Sequence, residues 1–94
     1  MSARRGIRLR AGVRFAVEPG GLLLADVRSG EVVALDPVAS VVGELLVEGY
    51  DLDGAAALLA LVADLEPTAA MRQVRDTVAT LRERGFVEPE GDDA

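Results

Sequence analysis

The chain reads as an α+β domain in which a small antiparallel sheet precedes three helices. Two observations predict this. Short strand-like apolar segments, the first alternating with period two, run as far as Leu35, and from Val38 apolar residues recur at the three- and four-residue spacing of amphipathic helices. Turn and cap signals separate the segments: Pro19-Gly20-Gly21, Ser29-Gly30, Asp36-Pro37, Gly49, Pro67 and Gly85. Strands first and helices after indicate a sheet packed on a helical bundle. At 94 residues there is room for one domain and one modest core. Half the residues are apolar and only Phe15, Tyr50 and Phe86 are aromatic, so Val, Leu and Ala must build that core.

Val13, Phe15 and Val17 alternate with Arg14, Ala16 and Glu18, the pattern of a half-buried strand. Leu22 to Val27 is a second strand, apolar on both faces until Asp26. Ser29-Gly30 fits a two-residue hairpin loop, after which Glu31 to Leu35 is the third strand. Asp36 can cap the first helix through its carboxylate, and Pro37 suits the first helical position, where its missing N–H costs nothing. Val38, Val41, Val42, Leu45 and Leu46 make one apolar face, and Gly49 ends the helix. A second helix begins between Leu52 and Gly54, with Asp51 and Asp53 competing as its cap and Leu58, Leu59, Leu61 and Val62 as its buried face. Pro67 opens and Gly85 closes a third helix with a stripe of Met71, Val74, Val78 and Leu81; Phe86 and Val87 then fold back on the core. Residues 1–11 read as a flexible basic arm, 12–87 as the folded domain and 88–94 as a frayed acidic tail.

The composition excludes several kinds of chemistry. Without Cys or His there is no thiol nucleophile, no disulfide, no zinc site of the usual ligands and no histidine base. Asp51 and Asp53 are better explained as helix caps than as an acid–base pair, and Gly20-Gly21 precedes a strand rather than the helix a phosphate loop needs. The sequence therefore predicts no enzyme, no cofactor and no metal. No apolar run reaches the ~18–20 residues of a membrane span and no signal-peptide pattern opens the chain, so a cytoplasmic protein is expected. The net charge is −6 and all ten basic residues are Arg, a bias that a GC-rich genome also produces. Acidity of this size opposes general nucleic-acid binding.

The third strand poses a question of its own. Glu31 to Leu35 is predicted near the edge of a small sheet, and an apolar edge invites unwanted pairing. Here the sequence resembles the PqqD-like family, the peptide-recognition domains of ribosomal-peptide biosynthesis, which are winged helix-turn-helix in form. The resemblance spans Val13 to Val87 and rests on "GEVVALDPVAS", a strand ending in Asp before a small-residue helix start, and on "LRERGFV" closing the third helix. Two features depart from the family pattern: Val32 and Val33 stand where an aromatic residue is common, and Gln73 stands before Val74 where an acidic residue is common.

The resemblance implies a function for the edge. In the family a leader peptide adds itself as a strand beside the third strand, in a groove against the third helix, so that main-chain bonds give grip and side-chain pockets give specificity. Carried over, the peptide-binding residues are Glu31, Val32, Val33, Ala34 and Leu35 on the strand and Met71, Arg72, Arg75, Asp76, Val78 and Ala79 on the helix. A stand-alone copy of this size is similar to the leader-binding proteins of lasso-peptide clusters, which implies a precursor leader peptide and a separate cysteine protease or other modifying enzyme as partners. The plainer alternatives are a strand edge covered by the arm of Arg4 to Arg10, and core packing for the helix stripe, foremost Val74 and Leu81. The rival function is a DNA-binding winged helix using Arg72, Arg75, Arg82 and Arg84; an edge-to-edge dimer through the third strand is a further possibility.

Overall fold

The computed structural model describes residues 7–88. Three strands, β1 (Val13–Glu18), β2 (Gly21–Asp26) and β3 (Val32–Leu35), form an antiparallel sheet in the order β1-β2-β3. Helices α1 (Pro37–Val47), α2 (Leu52–Ala63) and α3 (Pro67–Glu83) follow. The α+β class and the order of elements are those the sequence predicts. The axes of α2 and α3 turn through 119° across a short break, the helix-turn-helix geometry. No single helix is long and apolar enough to cross a membrane among the described residues.

The strands meet where glycine and serine allow it. Gly21 starts β2 at φ +146°, and a Cβ there would lie 2.1 Å from the Leu35 carbonyl oxygen, so no other residue fits. At the same place the buried Ser40 hydroxyl accepts from the Leu22 N–H at 2.6 Å and donates to the Leu35 carbonyl at 3.0 Å. One side chain of α1 thus replaces the last β2–β3 ladder bond and ties helix to sheet. Gly43, one turn on, lets α1 settle against Leu22 and Leu35; an added Cβ would stand 2.8 and 3.1 Å from their methyl groups.

Several expectations are corrected. The β2–β3 loop is longer than two residues: Val27 to Gly30 lie between Asp26 and Glu31, whose main chains bond at 2.9 Å. Asp26 and Ser29 shape it by accepting from the Arg28 and Glu31 N–H groups, with Gly30 at φ +82°. In β1 only Val13 is buried, while Phe15 and Val17 are 48% and 69% exposed, because no Cα of β1 lies within 8 Å of any helix Cα. In α1 the buried face is Val42 and Leu46 with Ser40 and Gly43, leaving Val38, Val41 and Leu45 half-buried. In α2 the cap is Asp51, which accepts from the Gly54 N–H at 2.8 Å, and the buried face is Ala55, Ala56 and Leu59. Leu61 and Val62 are exposed because α2 approaches its neighbours along its small residues.

The core otherwise holds as read. Val74, Val78 and Leu81 are buried with Ala70 and Thr77, and Met71 is half-buried against them. Phe86 and Val87 fold back and are buried. The arm expected to be flexible to residue 11 is paired at its described end. Leu9 bridges Val87, the Arg10 N–H donates to the Phe86 carbonyl at 3.0 Å and the Glu88 N–H to the Arg8 carbonyl at 2.8 Å. Its outer residues 1–6, and 89–94 of the expected tail, lie outside the described residues.

Candidate functional site

Among the described residues β3 has one strand neighbour, β2, so its far side is an open edge. Which of its main-chain groups face outward follows from the register. Asp26 and Glu31 form a hydrogen-bonded pair. Pairing alternates along an antiparallel ladder, so Val33 opposite Leu24 and Leu35 opposite Leu22 also point their N–H and C=O groups at β2. Val32 and Ala34 therefore present theirs to the open edge. The side chains separate as cleanly: Val33 and Leu35 are buried toward the helices, while Val32 and Ala34 are exposed on the other face.

The described part of the arm pairs with Phe86 to Glu88 and not with β3, so it does not cover this edge. What reaches the edge is Arg84, just past α3. Its Nη2 donates to the Val32 carbonyl oxygen at 3.2 Å and pairs with Glu31 Oε1 at 3.0 Å. Arg84 thus fixes the end of α3 on the open side of β3. No Cα of α3 comes within 8 Å of a β3 Cα, whereas α1 packs on both elements. An added strand needs about 4.8 Å from β3, and the space beside the edge is not closed by α3. β1 also has an open edge, but no helix approaches it, so a peptide there would find no pockets.

The predicted residues divide. Val32 and Ala34 turn their main chain to the open edge; Glu31, exposed, and Val33 and Leu35, buried, are in the opposite phase. On α3, Val78 is buried, Met71 half-buried, and Arg72, Arg75, Asp76 and Ala79 exposed. Arg84, Thr80, Thr77 and Gln73 recur at intervals of four, three and four residues, which is one side of a helix. Arg75 precedes Arg84 by nine residues, about two and a half turns, and so stands on the opposite side. Met71 and Val78 sit with Arg75. The resemblance to the family implies a groove on that flank, with Met71, Arg72, Arg75, Asp76, Val78 and Ala79. The Glu31–Arg84 pair joins positions 53 apart and left no local signal.

Of the four arginines that favour a DNA-reading helix, Arg84 is paired with Glu31 at the strand. Among the described residues no three acidic side chains converge as a metal site would require.

Comparisons with known proteins bear on this edge. The family of PqqD, coenzyme PQQ synthesis protein D, matches residues 21–87. No curated protein matches the chain. A solved structure described as lasso peptide synthetase B1 complexed with the leader peptide shares 31% identity, covering 89% of this chain and 99% of that one at a TM-score of 0.80. A second, TbiB1 in complex with the TbiA(beta) leader peptide, is alike in fold at 21% identity, covering 90% and 99% of the two chains at a TM-score of 0.82.

Proposed function

The chain belongs to the PqqD family, and from that premise we propose that it is a leader-peptide recognition protein of ribosomal peptide biosynthesis, of the lasso type. The leader adds as an antiparallel strand on β3, bonding to Val32 and Ala34. Its helix-side residues enter the gap toward the α3 side that carries Gln73 and Thr80. The protein holds the leader for a separate cysteine protease or other modifying enzyme in the cytoplasm and does no chemistry of its own. The observation that carries this is the open Val32–Ala34 edge facing α3, in a chain 31% identical to a protein described as leader-bound. The edge hazard is tolerated because the edge is the binding site.

The test is calorimetric titration with lasso-precursor leader peptides, on the parent and on Ala34→Pro. Proline removes an outward N–H without touching the β2 ladder. A lost main-chain bond costs about 1 kcal/mol and the strained approach adds to it, so affinity should fall roughly tenfold with circular dichroism unchanged. Equal binding by a folded Ala34→Pro variant would place the peptide elsewhere. DNA binding finds no support in the family or in either similar structure.

A further inference from the structure

We infer that Arg84 is a latch on the docking edge, a main-chain competitor that any added strand must displace at Val32. This rests on the proposed docking of a strand on β3. An antiparallel strand on that edge brings one of its own N–H groups to the Val32 carbonyl. In the described structure that acceptor already receives the Arg84 guanidinium, through the same Nη2 that pairs with Glu31. The Ala34 N–H and carbonyl carry no such occupant among the described hydrogen bonds. The edge is therefore unequal along its length: open at Ala34, closed at Val32.

The latch is built to open. Arg84 and Glu31 are 41% and 50% exposed at their side chains, so the pair is solvated and weak. Beside it lies an open cleft of about 520 Å³, lined by Arg10, Asp26, Arg28, Glu31, Glu83 and Arg84, room into which the guanidinium can turn. An incoming strand thus nucleates on Ala34 and extends to Val32 only by releasing Arg84. This makes Arg84 a residue that sets register and the end of the ladder.

The experiment compares the parent with Arg84→Met, which keeps the apolar stem and removes the donors, and with Glu31→Gln. The same labelled leader is titrated at several salt concentrations, and amide exchange at Ala34 is followed in each protein. Displacing an exposed pair opposes binding by at most about fivefold, so Arg84→Met should bind roughly three- to fivefold tighter, and Glu31→Gln should fall between it and the parent. Salt screens exposed pairs, so the parent should gain on the Met variant as salt rises and the gap should close. Unchanged or weaker binding by Arg84→Met, with Ala34 still protected by the leader, overturns the latch and leaves the docking edge standing. Loss of Ala34 protection in the parent itself refutes the docking edge and the latch together.

Discussion

Ser40 shows how much a single hydroxyl does here. It accepts from Leu22 and donates to Leu35, both buried at the point where α1 meets the sheet. Removing it leaves a buried N–H and a buried C=O without partners, and each such group costs ~1–3 kcal/mol. Ser40→Ala should lower the free energy of unfolding by roughly 2–4 kcal/mol in urea titration. A loss below half a kcal/mol would mean that a water takes over both bonds. Gly21→Ala is harsher, since its Cβ would collide with the Leu35 carbonyl, and it should abolish cooperative unfolding. Neither role was legible from the sequence. In the sequence Ser40 is only part of a small-residue helix start, and Gly21 the last residue of a turn. Their partners are set by the way β2, β3 and α1 converge, which local patterning does not encode. Asp36, Gly49 and Gly85 were legible because caps act within a few residues.

At the scale of elements, what was misread is which residues of a helix touch a neighbour. α2 looked like a leucine helix, yet it packs through Ala55, Ala56 and Leu59 and leaves Leu61 and Val62 in solvent. Close approach favours small side chains, and hydrophobicity alone does not rank them. Leu61→Gln with Val62→Gln should therefore stay within about half a kcal/mol of the parent, whereas Ala56→Leu should destabilise by ~1–3 kcal/mol through overpacking. Thermal melts of the two variants check the order. α3 carries the same lesson into function. Its core stripe of Val74, Val78 and Leu81 is buried, and the side it shares with Arg84 carries Gln73 and Thr80. Bulk placed on that flank enters the gap and bulk on the other side does not. Thr80→Trp should weaken leader binding about tenfold or more, while Arg75→Trp should leave it within roughly twofold. The reverse order would return the groove to the Met71–Arg75–Val78 flank.

For the molecule as a whole, the sheet has two edges, and the helices treat them differently. β1 stands clear of every helix, with Phe15 and Val17 exposed, while β3 lies beside α1 and across a gap from α3. The sequence predicted the order of elements and the interest of the third strand. It left open whether Val32 and Ala34 or Val33 and Leu35 turn their groups outward, because alternation alone does not say which pair bonds to the neighbouring strand. The central claim is that a leader adds to this edge. Amide hydrogen exchange at single-residue resolution, with and without leader, tests it most directly. At a free leader concentration of 100 times Kd, the Ala34 N–H should exchange about 100-fold more slowly, with Val32 slowed alongside and Phe15 and Val17 on the opposite edge unchanged. A saturated complex in which Ala34 exchanges as in the free protein, or in which Phe15 and Val17 are slowed instead, contradicts the account.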